Sequence, residues 1–225
     1  MLVVQVETDA GIAGAGISRD AERFAVRELI RHEIGPFLLG KDPLATEKIW
    51  NDACWELGMS YKVRTRVVAR AIGAVDQALW DIKGRYLHQP IYRLLGGASP
   101  ASVGAYTTFG FNVYPLEDLV ALARQLVQEG HDKLKMQVVA ADRGQDVSVD
   151  VARVKAVREA VGDPVMLMVD GNSKFDFPHA RELARRIEPY HIQPPVARQG
   201  RLPLPEKPGM GLELNEAAVE EYTEP

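Results

Sequence analysis

The sequence lacks the features that mark several broad classes of protein. Its single cysteine, Cys54, excludes an intrachain disulfide and a metal site built from several cysteines. No apolar run approaches the ~20 residues that span a bilayer, and the N-terminus shows no basic segment followed by an apolar stretch. Lys+Arg 27 stand against Asp+Glu 31 with the signs interspersed, so no basic stripe is present for nucleic acid or anionic lipid. We therefore expect a cytoplasmic globular protein with neither nucleic acid nor membrane as a partner.

The first part of the chain predicts a small α+β domain. "MLVVQVETDAGIAGAG" alternates apolar and small residues around Asp9–Gly11, which predicts a β-hairpin. Helical spacing then follows, and we expect Gly35 and Pro36 to close the first helix. The predicted helical stretches are 20–39, 46–57 and 66–86. Gly96, Gly97 and Pro100 then mark a domain boundary, so that the first domain covers 1–97.

The middle of the chain alternates strand and helix patterns. The predicted strands are "VGAYTTFG", "KLKMQVV" and "VMLMVDGN", and the predicted helices are 115–130, 147–161 and 177–187. Short apolar strands joined by helices indicate parallel strands covered by helices, in either a doubly wound sheet or a (β/α) barrel. Residues 98–192 hold three such units, whereas a closed eightfold barrel takes roughly 250 residues. Residues 193–225 are rich in proline, glycine and charge and continue no βα pattern.

Two lysines and two polar residues stand out on the second and third predicted strands. Two-residue alternation points Lys133 and Lys135 to one side of the second strand. The same alternation points Asp170 and Asn172 to one side at the end of the third strand. A lysine beside another cation loses proton affinity and can act as a general base, and an aspartate is a hard-oxygen ligand for Mg²⁺. The alternative is that the lysines extend from an edge strand into solvent while Asp170 starts a turn.

The segment Ala71–Gly97, "AIGAVDQALWDIKGRYLHQPIYRLLGG", resembles the signature of the mandelate racemase and muconate lactonizing group of the enolase superfamily. "KLK" is similar to the Lys-x-Lys of that group's second barrel strand, and "VDGN" is similar to the Asp-x-Asn of its third. The tail from Gly200 also resembles the segment that ends such proteins. The resemblance covers nearly the whole chain and implies an N-terminal α+β capping domain, a partial (β/α) barrel of the TIM type at 98–192, and a tail at 193–225 that returns towards the capping domain.

The resemblance also implies roles for individual residues. Lys135 would remove the proton α to a substrate carboxylate, and Lys133 would lower the pKa of Lys135 and contact that carboxylate. Asp170 would be one of three carboxylate ligands of Mg²⁺, with Asn172 near the metal and the substrate.

Two segments of the N-terminal domain would cap the pocket and select the substrate. The first is the loop Gly16–Arg19, with Ser18 and Arg19 as candidate substrate contacts. The second is Met59–Lys62, with Tyr61 as the candidate.

The chain departs from the pattern of the group after the third strand. The later strands that supply two further metal-binding acids are absent, which we interpret as an internal deletion joined near 193–199 and expect to weaken or abolish Mg²⁺ binding. Glu206, Glu213 and Glu216 of the tail are interpreted as solvated charges rather than replacement ligands. We expect an acid-sugar dehydratase or racemase, inactive or impaired as this chain and homo-oligomeric. The alternative is a non-catalytic fragment or an assembly protein.

Overall fold

The computed structural model describes residues 1–19, 22–56, 66–97, 102–111, 113–140, 144–192 and 201–222. The chain divides into an N-terminal unit of Met1–Ser99 with Leu204–Pro225 and a β/α unit of Pro100–Pro203. The strands are β1 Leu2–Glu7, β2 Ala13–Ser18, β3 Ser102–Gly104, β4 Thr107–Phe109, β5 Lys133–Gln137, β6 Met166–Asp170 and β7 Arg201–Pro203. The helices are α1 Arg23–Leu29, α2 Gly35–Leu38, α3 Thr46–Glu56, α4 Arg66–Tyr86, α5 Ile91–Leu94, α6 Leu116–Gln128, α7 Ser148–Val161, α8 Phe177–Ile187 and α9 Glu216–Tyr222. None of the helices in these ranges is both long and apolar enough to cross a membrane.

The predicted hairpin is confirmed and packs directly on the long helix α4. β1 and β2 pair antiparallel, with Val4 opposite Gly16. A Cβ atom added at Gly14 would lie 2.2 Å from the carbonyl oxygen of Ala78, and one added at Gly16 would lie 1.9 Å from that of Ala74. These glycines therefore allow the strand backbone to touch the helix backbone, an approach that any larger residue would prevent.

The helical segment after the hairpin reaches Leu38, close to the predicted end of the stretch 20–39, but Gly35 and Pro36 do not close it. α1 continues through a π-helical turn, Ile30–Ile34, into α2, so Gly35 and Pro36 lie inside the segment and that part of the prediction is wrong. The amide of Gly35 donates to the carbonyl of Ile30, five residues earlier. Pro36 follows within α2 and has no N–H to donate to the preceding turn, so the continuous segment lacks one backbone hydrogen bond at this point.

The C-terminal tail docks on the N-terminal unit through a buried aspartate of α4. Asp81 is 1% exposed. Its carboxylate accepts hydrogen bonds from the amides of Ala15 (3.1 Å) and Met210 (2.8 Å) and from Nε of Arg85 (3.0 Å). Gly209 forms a bridge with Pro90 beside it. One carboxylate thus joins the hairpin, α4 and the tail.

The β/α unit contains a parallel sheet in the order β4-β5-β6, beside a separate antiparallel pair of β3 and β7. The sequence predicted one continuous first strand, but the chain breaks at Ala105 and Tyr106, and its halves, β3 and β4, join different sheets. The parallel sheet aligns Thr108 with Lys135, and Gln137 with Asp170.

The two faces of the parallel sheet differ in chemistry. Leu134, Met136 and Leu167 are fully buried in a cluster that includes Leu119 of α6 and Val154 of α7. Because side chains alternate along a strand, Lys133, Lys135 and Asp170 project from the opposite face. The helix-covered face therefore forms the core, and the other face carries the charged residues.

Candidate functional site

The structure brings Lys135 and Asp170 together. Lys135 lies in the middle of β5, and Asp170 is the last residue of the neighbouring parallel strand β6. Nζ of Lys135 lies 3.0 Å from Oδ2 of Asp170. The carboxyl ends of parallel strands are where β/α folds place their functional groups, and this ion pair lies at that edge of the sheet.

Asp170 is also held by the backbone that follows it. The amide of Asn172 donates to its Oδ1 at 2.9 Å, and Asn172 and Ser173 adopt positive φ angles of 48° and 59°. This backbone hydrogen bond, together with the nearby Lys135 ammonium, lowers the pKa of Asp170. The side chain of Asn172 is exposed, so the described contact to Asp170 comes from its amide alone.

The ion pair sets the protonation of Lys135. Its hydrogen bond to Asp170 raises the pKa of Lys135, and a weaker contribution comes from Tyr106. The sequence analysis predicted the opposite direction, because it attributed the pKa shift of Lys135 to the neighbouring Lys133 and treated the nearby Asp170 only as a metal ligand. In this arrangement Lys135 is held as an ammonium group at neutral pH.

Lys133 is buried but has its own counter-ion. Its side chain is 3% exposed, and Nζ donates to Asp132 Oδ1 at 3.1 Å and Oδ2 at 3.3 Å. The buried ammonium is therefore neutralised by the residue immediately before it. Its contact with a substrate carboxylate stays a prediction.

Tyr106 belongs to the site and was missed by the sequence reasoning. Its hydroxyl lies 3.5 Å from Nζ of Lys135, and Nζ lies 5.0 Å from the centre of its ring. Tyr106 precedes Thr108, the register partner of Lys135, by two residues. Tyr106 lies just before β4, and aligning the first predicted strand with the second would have placed it on the face of Lys135.

The other predicted substrate contacts lie away from these strands in sequence. Ser18 ends β2 and is 5% exposed, and its Oγ has no hydrogen-bond partner within the described structure. Arg19 follows it and is exposed. Both residues belong to the N-terminal unit, and Tyr61 lies outside the described residues. Their role in substrate binding stays a prediction.

The donor set does not fit a three-carboxylate magnesium site. Among the described residues, three or more His, Cys, Asp or Glu side chains are nowhere gathered in a group that could hold a metal ion. The Asp170 carboxylate is itself engaged by Lys135. In the tail, Glu206 bonds to Arg93 and Tyr92, and Glu213 pairs with Lys207. The exposed Glu216 opens α9.

An α+β unit followed by parallel β/α units, with a lysine and a carboxylate paired across adjacent parallel strands, defines an enolase-like class of protein. Residues 1–96 match the family model "Mandelate racemase / muconate lactonizing enzyme, N-terminal domain", and residues 118–194 match "Enolase C-terminal domain-like". The chain belongs to the mandelate racemase and muconate lactonizing enzyme group of the enolase superfamily. Its fold is a capping-type α+β domain followed by a partial (β/α) barrel.

Three similar proteins indicate the range of chemistry in this group. The chain is 33% identical to D-galactonate dehydratase of Pectobacterium atrosepticum over 202 residues, which cover 87% of this chain and 52% of that protein. It is 34% identical to 3,6-anhydro-alpha-L-galactonate cycloisomerase of Streptomyces coelicolor over 194 residues, covering 85% and 52%. The crystal structure of L-talarate dehydratase from Polaromonas sp. JS666, complexed with Mg and L-glucarate, superposes with a TM-score of 0.71 at 36% identity, covering 84% and 52%. The chain thus spans about half the length of the curated relatives it matches.

Proposed function

We propose that this chain carries part of the active site of an acid-sugar dehydratase or racemase, in which Lys135 removes the proton α to a carboxylate. The observation that carries the proposal is the 3.0 Å contact between Lys135 and Asp170 across adjacent parallel strands. Relatives named as galactonate and talarate dehydratases support an aldonate or aldarate substrate and favour loss of water over racemisation.

The contacts of Lys135 define what it requires in order to act as a base. Lys135 accepts a proton only as a neutral amine, and its pairing with Asp170 favours the ammonium form. Proton abstraction therefore requires the Asp170 charge to be drawn to another partner, or Lys135 to turn away from it. Tyr106 lies within reach of Nζ in the resting pair and orients the amine. Lys133 is paired with Asp132, so a substrate carboxylate would compete with Asp132 for its ammonium group.

The isolated chain supplies a base but little to stabilise the product of proton removal. Mg²⁺ accompanies L-glucarate in the related dehydratase, whereas the described residues of this chain gather no group of three candidate ligands, and the Asp170 carboxylate is already paired with Lys135. No step through a metal follows from this donor set. The chain alone is therefore an impaired catalyst.

The closed ion pair also favours a second candidate, a non-catalytic fragment or assembly protein that retains the surfaces of its family. In that case Lys135 and Asp170 stabilise the sheet and bind no substrate. A length-restored protein separates the two candidates.

The test joins residues 1–192 and 201–225 of this chain through the corresponding barrel segment of the Pectobacterium D-galactonate dehydratase. Dehydration is assayed on a panel of aldonates and aldarates, with dipeptides and muconates for comparison. We expect turnover of an acid sugar that Lys135→Ala abolishes, whereas Lys155→Ala, an exposed lysine paired with Glu159, leaves it unchanged. Turnover confined to dipeptides or muconates, or retained without Lys135, would contradict the proposal.

A further inference from the structure

A groove in the N-terminal unit lies between the hairpin turn and the tail. Its volume is about 410 Å³, and its lining comes from the turn residues 11–13, from Arg85 of α4 and from tail residues that include Lys207, Leu212 and Glu213. Small-molecule sites are typically clefts of ~300–1,000 Å³ with a few placed polar groups. Segments more than a hundred residues apart in sequence thus form one concavity of ligand size.

Arg85 is fixed in this groove by a buried partner. Its Nε donates to Oδ2 of Asp81 at 3.0 Å, and Nη2 makes a longer contact of 3.4 Å to the carbonyl oxygen of Leu212. Asp81 is 1% exposed and is held by two further donors, so it cannot follow Arg85 into solvent. A guanidinium carries five N–H donors, and two are used in these contacts. The remaining donors form a preoriented fork suited to a planar or tetrahedral oxyanion.

The second cation of the groove is only loosely engaged. Nζ of Lys207 lies 3.1 Å from Oε1 of Glu213, with the two side chains 69% and 75% exposed. An ion pair this exposed is worth little, because water screens it and both side chains lose conformational freedom. A ligand oxyanion held by Arg85 can therefore compete with Glu213 for Lys207.

We propose that this groove binds a small oxyanion, a carboxylate or a phosphate, through Arg85 and Lys207. The fork of Arg85 provides the directional contact and Lys207 provides a mobile charge. The hairpin turn forms part of the wall. The site lies entirely within the N-terminal unit, and it does not depend on the function proposed for Lys135.

The test is isothermal titration calorimetry of the 225-residue chain at low ionic strength, with citrate as the carboxylate probe and inorganic phosphate as the phosphate probe. We expect saturable binding of at least one probe, with weakening on addition of salt. Arg85→Lys keeps a cation beside Asp81 but removes the planar fork, and we expect a loss of about tenfold or more in affinity. Lys207→Gln should weaken binding severalfold.

Two control variants make the result specific. Lys48→Gln removes a lysine of similar exposure that pairs with Asp52 in the same unit, and it should leave the affinity within about twofold. Lys135→Ala should also have no effect, which separates this site from the proposed active site. Absence of saturable binding by both probes would overturn the proposal, as would binding that neither Arg85→Lys nor Lys207→Gln weakens.

Discussion

Nζ of Lys135 and Oδ2 of Asp170 lie 3.0 Å apart, and each group holds the other in its charged form. The pKa of Lys135 is raised, so its stabilising contribution is present at neutral pH and is lost as the pH rises through that raised value. The pKa of Asp170 is lowered, so its contribution is present above the ordinary aspartate pKa and is lost as the pH falls through the lowered value. The pair therefore stays closed across the neutral range.

Removing the carboxylate should release Lys135. In Asp170→Asn the principal cause of the raised pKa is gone, so we expect the pKa of Lys135 to fall and its neutral amine to be more abundant at a given pH. Acylation by acetic anhydride requires the neutral amine, so Lys135 should be labelled faster at pH 8 in the variant. Mass spectrometry can follow this rate relative to that of Lys155.

Asp176→Asn serves as the control for this measurement. Asp176 caps α8 and contacts His179, so its removal should leave the labelling of Lys135 unchanged. Equal labelling rates in the wild type and Asp170→Asn would show that the ion pair is not maintained in solution.

Asp150 should stabilise the loop after β5 as a hydrogen-bond acceptor rather than as a charge. It is 3% exposed, and Oδ2 accepts from the amide of Ala140 at 2.7 Å. Asp150→Ala leaves that buried amide unpaired, and we expect a loss of about 1–3 kcal/mol in the free energy of unfolding. Asp150→Asn keeps an acceptor oxygen and should cost less. Urea unfolding followed by circular dichroism measures both variants.

The raised pKa of Asp150 also predicts how its contribution to stability changes with pH. Burial raises the pKa of Asp150, so the folded chain holds this proton more tightly than the unfolded chain does. The contribution of Asp150 to stability therefore falls as the pH rises from the ordinary aspartate pKa through the raised value. Asp150→Asn should gain stability relative to the wild type between pH 4 and pH 7. A stability difference between Asp150→Asn and the wild type that does not change with pH would contradict this account. A larger loss of stability in Asp150→Asn than in Asp150→Ala would contradict it as well.

Much of the fold could be predicted because local patterns agree with the final packing. The spacing of apolar residues in 66–86 placed α4 where the structure has it, and the alternation in "MLVVQVETDAGIAGAG" placed the hairpin. Patterns that depend on distant partners were missed. β3 and β4 lie in one short stretch that reads as a single strand and are separated only by their different partners, and β7 is a three-residue strand defined only by its pairing with β3.

The site was predicted in part for the same reason. Alternation places Lys135 and Asp170 on one face, and the parallel register brings them together. The direction of the Lys135 pKa shift was wrong, because it depends on which charge lies nearest in space. Lys133 turns to Asp132, and Tyr106 reaches Lys135 from the break between β3 and β4, which the sequence does not show.

Gly209 should be more sensitive to substitution than a glycine of the same backbone conformation in open space. Gly209 has φ +71°, and an added Cβ atom would lie 2.1 Å from Oδ1 of Asp81. Gly40 has φ +77° with nothing within 4 Å of such an atom. Gly40→Ala should therefore lower the free energy of unfolding by only about 1–2 kcal/mol, the strain of an alanine in the left-handed conformation. Gly209→Ala should cost a further ~1–3 kcal/mol, because it disturbs the hydrogen bonds of Asp81.

The measurement is urea unfolding followed by tryptophan fluorescence. Trp50, Trp55 and Trp80 all belong to the N-terminal unit, so the signal reports the unit that both glycines belong to. Equal losses of unfolding free energy in Gly40→Ala and Gly209→Ala would show that the tail does not dock on Asp81 in solution.

The 225-residue chain alone should exchange no α-proton of a hydroxy acid above background. Enzymes lower barriers by ~8–23 kcal/mol, and electrostatic stabilisation of the developing oxyanion is usually the largest single part. The described residues gather no group of three acids for a metal, and the Asp170 carboxylate is paired with the base itself, which is held as an ammonium group. A base without a group that stabilises the enediolate gives little rate, because only interactions that strengthen in the transition state accelerate the step.

Deuterium incorporation at the α-carbon of a panel of aldonates and aldarates, read by NMR in D₂O with and without Mg²⁺, tests this directly. The wild type, Lys135→Ala and Lys155→Ala should give the same background rate. Exchange that requires both Mg²⁺ and Lys135 would overturn the prediction. It would also imply that a second subunit, or residues outside the described part of the chain, supply the missing ligands, because the described part gathers no such group.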